Sequence, residues 1–169
     1  MTLDLLKSAA AIDVKFSKKA LVVRVRNVGA GHHLPTGVAD FRELWLDVTL
    51  KDAAGKIILT SGKIDKAGAI EQGSRLFRKV FGDRNGVPVG LKFWKYEKLL
   101  EDTRIPAKGF RDEVYLLPSN IAYPVAAEVK LRFRIYPQWV TRAVQQERPE
   151  LPTPPAVTLK TLITIGKQP

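Results

Sequence analysis

The chain carries two histidines, and they are adjacent: His32 and His33 sit inside Asn27-Val28-Gly29-Ala30-Gly31-His32-His33-Leu34-Pro35-Thr36-Gly37. An imidazole can move a proton near neutral pH, ligate a metal, or serve as an axial base to haem iron. Spacing narrows the choice. Neighbouring side chains on extended backbone point to opposite sides, so one metal ion does not take both rings without a special turn, and no metal site is assigned. The glycines relax the backbone while Pro35 fixes a φ angle and removes a donor. Asn27, Gly29, Gly31, Pro35, Thr36 and Gly37 therefore read as the structural frame of a shaped loop. The plainer reading has one histidine bonded to the loop backbone and the other in solvent.

Other catalytic chemistry finds little support. The serines Ser8, Ser17, Ser61, Ser74 and Ser119 include none in a Gly-x-Ser-x-Gly elbow. The absence of cysteine removes any thiol nucleophile, disulfide, thiolate metal site or covalent c-type haem attachment within the sequence. Glu97 with Glu101, or Asp112 with Glu113, has the spacing of a solvated helix or strand face. Gly29-Ala30-Gly31 lacks the remainder of a dinucleotide fingerprint, and no Walker-type Gly-Lys-Ser/Thr occurs. No catalytic residue is assigned and the chain is expected not to be an enzyme. The competing enzyme reading is a metal-dependent reaction using His32 or His33.

The elements that hold this loop follow from two-residue periodicity. Leu21, Val23 and Val25 alternate with Val22, Arg24 and Arg26; Leu44, Leu46, Val48 and Leu50 alternate with Trp45, Asp47, Thr49 and Lys51. Asp52-Ala53-Ala54-Gly55 suits a hairpin loop returning through Lys56 to Thr60. Val129, Leu131, Phe133 and Ile135 alternate with Lys130, Arg132, Arg134 and Tyr136, and Pro137 ends that strand. The β-branched run from Val157 to Ile165 predicts a last strand packed in the core. Further strands are expected at Ala11–Phe16, Arg75–Phe81 and Phe110–Leu117. Short helices are expected around Tyr96–Leu100, in the long connection from Asp83 to Lys108, and around Trp139–Gln146. The prolines from Pro149 to Pro155 predict an extended link. Residues 1–169 read as a single domain, an all-β antiparallel sandwich of about eight strands, immunoglobulin-like, with one or two short helices in connections.

Charge adds a sign. Lys and Arg number 28 against 17 Asp and Glu, a formal +11, so anionic partners are attracted. Arg24, Arg26, Arg132 and Arg134, with His33, are the expected interaction residues. A basic face of this kind also fits single-stranded nucleic acid. That reading ranks behind a protein partner, because only Tyr136 and Trp45 fall at outward aromatic positions and a stacking platform needs several. No window reaches the roughly 18 apolar residues of a spanning helix, and no export signal is read at the start of this sequence.

The string Asn27-x-Gly29-x-Gly31-His32-x-x-Pro35-Thr36-Gly37, followed by Arg42, Trp45-Leu46, Asp52 and Gly55, resembles the C-terminal β-sandwich module of exported multihaem c-type cytochromes. Phe81-Gly82-Asp83 with Gly86, Thr103-Arg104-Ile105-Pro106 and Leu131-Arg132-Phe133-Arg134 follow in the same order, so the resemblance runs from about Leu21 to Arg134. It implies a periplasmic or extracytoplasmic electron-transfer setting, with this module docking haem-bearing segments or an acidic partner. It places His32 in the loop facing the haem region; His33 matches no fixed motif residue. The chain departs from the family in lacking Cys-x-x-Cys-His. The resemblance then implies a domain excised from a longer multihaem cytochrome, with any haem in that parent protein, or a haem-free relative of one.

Overall fold

A computed structural model describes residues 2–90 and 92–167. Helix α1 (Thr2–Ala9) runs directly into β1 (Ala10–Phe16), which a short turn joins to β2 (Ala20–Asn27). After the histidine loop and a 3₁₀ turn at Ala39–Phe41 come β3 (Glu43–Lys51) and β4 (Ile57–Ser61). The two-residue β5 (Leu76–Phe77), β6 (Lys79–Gly82) and β7 (Lys98–Asp102) follow, then β8 (Phe110–Leu116), β9 (Val125–Arg134), α2 (Gln138–Glu147) and β10 (Val157–Gly166).

The strands form two antiparallel sheets. One has the order β1-β2-β8; the other has β10-β9-β3-β4, with β5 pairing the first residues of β3. These eight strands make the expected sandwich, and β6 with β7 forms a separate hairpin arm. Leu21, Val23 and Val25 of β2 meet Leu44, Leu46, Val48 and Leu50 of β3 and Val129 and Leu131 of β9 in one apolar cluster. Each fully buried leucine there contributes about 1.5–3 kcal/mol relative to exposure. The Asp52 turn forms as its sequence predicts: the Asp52 carboxylate accepts the Ala54 and Lys56 amides at 3.0 and 2.9 Å, and Gly55 takes φ +79°.

Three expectations change and one element is new. Trp45 points away from the core cluster, as its parity requires, yet it is fully buried. The segment from Gly62 to Arg75 and α2 form a second layer over that face; the Trp45 indole donates to Gly62 O at 3.0 Å, and Arg134 donates to Gly68 O and to Gln138 of α2. In β10 a register shift between Thr158 and Lys160 reverses the alternation. Leu159 is therefore buried, while Ile163 and Ile165, expected in the core, are 69% and 64% exposed. The helix expected at Tyr96–Leu100 is replaced by a 3₁₀ turn at Phe93–Lys95 and the strand β7, because pairing with β6 satisfies the backbone there. Helix α1 was not anticipated; its Leu6 and Ala9 pack on the core. None of the described helices is long and apolar enough to cross a membrane.

Candidate functional site

The histidine loop is held from beneath by Asn27, a buried residue at the end of β2. Its amide nitrogen donates to His32 O at 2.7 Å and Ile105 O at 3.3 Å, and its oxygen accepts the Ala30 amide at 3.1 Å. Leu34 exchanges backbone bonds with Ile105 at 2.9 and 2.8 Å, which ties the far side of the loop to the segment before β8. Gly29 lies against α1: a Cβ there would sit 2.5 Å from Ser8 O, so no larger residue fits without backbone movement. The motif residues thus build a rigid support whose product is the placement of two exposed imidazoles.

His32 Nδ1 is 3.1 Å from the carbonyl oxygen of His33. A carbonyl only accepts, so Nδ1 carries the proton and Nε2 keeps its lone pair when the ring is neutral. His33 is also exposed. Among the described residues no three His, Asp or Glu side chains gather in a way that would hold a metal ion.

The structure divides the expected arginine surface between the two sheets. On β2, Arg24 forms a two-pronged pair with Asp112 of β8, both bonds 2.7 Å, and Arg26 pairs with Asp13 of β1 at 2.7 Å. Arg24 also lies over the Phe110 ring at 3.8 Å. The Arg24 guanidinium holds the Asp112 carboxyl below the usual range. On β9, Arg132 reaches Asp47 at 3.3 Å, and Asp47 also receives Lys63 at 2.6 Å. Arg134 is 2% exposed and pairs with Glu43 through two nitrogens. Desolvation raises the Glu43 pKa despite that partner. Arg132 and Arg134 flank the buried Trp45 ring at 5.8 and 6.0 Å. These arginines are engaged by internal carboxylates and by the layers they join.

Periodicity does not single out the second candidate surface, the β6–β7 arm and the cleft at its base. The histidine loop runs on through Gly37 and Val38 into one wall of a cleft of about 460 Å³, and Phe93, Tyr96 and Phe81 of the arm form another. Phe81 stacks on Tyr96 with centroids 4.5 Å apart, and Lys79 Nζ sits 4.3 Å above the Phe81 ring. The Tyr96 hydroxyl donates to the Asp40 carboxylate; removal of water and then that carboxylate push its pKa up to about 12, so it stays protonated. Asp40 is thereby occupied. At the arm's root Arg104 pairs with Asp102 at 2.6 Å and lowers its pKa, to which Lys79 adds. Arg78 clamps Glu101 at 2.8 Å. Beyond that root, Phe93 and Trp94 stand 64% and 70% exposed, edge to face at 5.3 Å. The signals available in the sequence were the length of the Asp83–Lys108 connection and its Phe93-Trp94-Lys95-Tyr96 run.

The carboxylate pairs weighed for acid–base work are taken up by arginines: Glu101 by Arg78, Asp112 by Arg24, and Glu113 by Arg75 at 3.4 Å, while Glu97 lies 3.8 Å from Arg84.

No known protein family matches the chain, and no curated protein does. Among solved structures it is similar to a penta-haem cytochrome c552 from Thermochromatium tepidum, with a TM-score of 0.68 and 22% identity over 96% of this chain. The chain spans 41% of the length of that cytochrome chain. The β-sandwich is thus cytochrome-related in fold.

Proposed function

We propose that this chain is a non-catalytic interaction module of a multihaem electron-transfer system, extracytoplasmic in setting, that docks haem-bearing segments or an acidic partner protein. One observation carries the reading: nearly the whole chain adopts the fold of part of a penta-haem cytochrome, yet it holds no cysteine. Covalent c-type attachment requires cysteine, so these residues do not fit such a haem, and the haem belongs to other polypeptide. Within the module the rigid loop presents His32, with Nε2 free, toward that partner. The +11 charge favours an acidic surface and speeds its encounter.

The test uses the native protein. Antibody against this chain, applied to extracts of its own cells separated under non-denaturing conditions, is expected to mark a species with covalently bound haem, either a longer polypeptide or a complex. A haem-free species migrating as the 18.8 kDa chain alone would end the proposal.

A further inference from the structure

We propose that the β6–β7 arm is the docking element of the module, and that it receives an acidic protein surface with an apolar centre. The inference rests on the interaction-module reading above and names the surface and partner chemistry within it.

Exposed apolar side chains occur in several places, and on the arm they include two adjacent aromatics set among several cations. Val87, Phe93, Trp94 and Leu99 are each more than half exposed on it. Large exposed aromatics on a soluble surface mark contact sites, and tryptophan is among the residues that most often anchor interfaces. Around them the arm from Lys79 to Asp102 carries Lys79, Arg84, Lys92, Lys95 and Lys98 against Asp83, Glu97, Glu101 and Asp102, the last two taken up by Arg78 and Arg104 at its root. Among the described residues, Lys79, Lys92, Lys95 and Lys98 have no carboxylate within ion-pair distance, and Arg84 has only the 3.8 Å contact to Glu97. The sheet arginines are different: each of Arg24, Arg26, Arg132 and Arg134 has an internal carboxylate.

Two other exposed apolar places are set among paired charges. Ile163 and Ile165 face outward beside Glu128 and Ala126 of β9, and Leu116 stands on β8 near Glu113 and Asp112. At those places each carboxylate is matched by a cation, Lys130, Arg24 or Arg75, whereas an acidic partner would meet unmatched positive charge on the arm. The arm is also well supported for the task. The Phe81–Tyr96 stack, the Tyr96–Asp40 bond and the clamps at Arg78 and Arg104 fix its root, so presenting Phe93 and Trp94 costs little ordering on contact. A partner seated there also lies beside the wall formed by Gly37 and Val38, at the end of the histidine loop.

The experiment places a photo-crosslinking amino acid at Trp94 of the full chain in its native cells, with the same probe at Ile163 and at Leu116 for comparison. The expected result is a crosslink from Trp94 alone, to a partner peptide flanked by aspartate and glutamate. The triple substitution Lys92→Glu, Lys95→Glu, Lys98→Glu should reduce its yield about ten-fold or more, and added salt should reduce it too. A partner crosslinked at Trp94 that is acidic but carries no haem upholds this inference and ends the multihaem reading. A haem-bearing partner crosslinked from Ile163 or Leu116 and not from Trp94 does the reverse. A Trp94 crosslink insensitive to the charge reversals, or no crosslink at all, overturns the arm as the docking element. Unfolding of the triple variant by denaturant separates loss of contact from loss of fold.

Discussion

The outer face of β3 and β9 and the β6–β7 arm contain the same materials, tryptophan flanked by cations, and use them oppositely. On the sheet, Trp45 is buried under a second layer, with Arg132 and Arg134 on its ring and Asp47 and Glu43 answering the arginines. On the arm, Trp94 is 70% exposed, and Lys92, Lys95 and Lys98, near it in sequence, have no ionic partners among the described residues. A cation at a regular strand position has a cross-strand neighbour to pair with, as Arg24 has Asp112. A cation on an irregular segment has none in register. On the arm the cations without an ion pair sit both on the connecting segment, Lys92 and Lys95, and on its two strands, Lys79 and Lys98.

That contrast breaks first at Arg134. Replacing it with methionine leaves Glu43 buried without its partner, and the expected loss is about 3–5 kcal/mol at neutral pH by urea unfolding. Lys95→Met on the arm should stay within about 0.5 kcal/mol. If the two losses were equal, the division between structural and free cations would fail. The tryptophans extend the comparison: Trp45→Ala should cost about 3–5 kcal/mol and Trp94→Ala almost nothing, while a soluble quencher should reach the fluorescence of Trp94 and spare that of Trp45.

The histidine loop offers a comparison of the next size down. Asn27→Ala leaves the carbonyls of His32 and Ile105 without their donor and should cost about 1–3 kcal/mol. His32→Ala and His33→Ala, on exposed rings, should leave stability within about 0.5 kcal/mol. Asn27 loss with intact histidines should also broaden the NMR signals of both rings, since their support is gone. A rigid, stable Asn27→Ala protein would show that the motif serves something other than this scaffold.

The sheets were legible because strands with one buried face write their register as alternation, and β2, β3 and β9 keep it. Trp45 escaped because its cover comes from Gly62–Arg75 and α2, segments distant from β3 in sequence and carrying no period of their own. Ile163 and Ile165 escaped for a different reason: a one-residue register shift exchanges the faces of everything after it, and no residue type announced the shift. At β7 the stretch Tyr96–Leu100 suited a helix locally, and tertiary pairing of Lys98–Asp102 with β6 overrode that preference. The loop was readable as a frame because glycine, proline and asparagine have specific backbone uses. Which cations stay free was not readable, because it depends on carboxylates brought in from other strands.

The smallest effect distinguishes the two regions by sign. Asp102, at the arm's root, has its folded pKa lowered chiefly by the Arg104 hydrogen bonds. Its contribution is therefore complete above the unfolded carboxylate value, about 4, and is lost as pH falls through the lower folded value. Glu43, in the sheet, has its folded pKa raised chiefly by desolvation. Its contribution is present below the unfolded value and is lost as pH rises through the folded one. Stability measured by urea unfolding from pH 3 to 7 should show both slopes. Asp102→Asn should flatten the acid limb, and Glu43→Gln should remove the decline above it, whatever each does to the absolute level. Because the Arg104–Asp102 pair is partly open to water, its limb should shrink in high salt while the Glu43 limb persists. Equal salt sensitivity in the two limbs would place both pairs in the same environment and remove the contrast between arm and sheet.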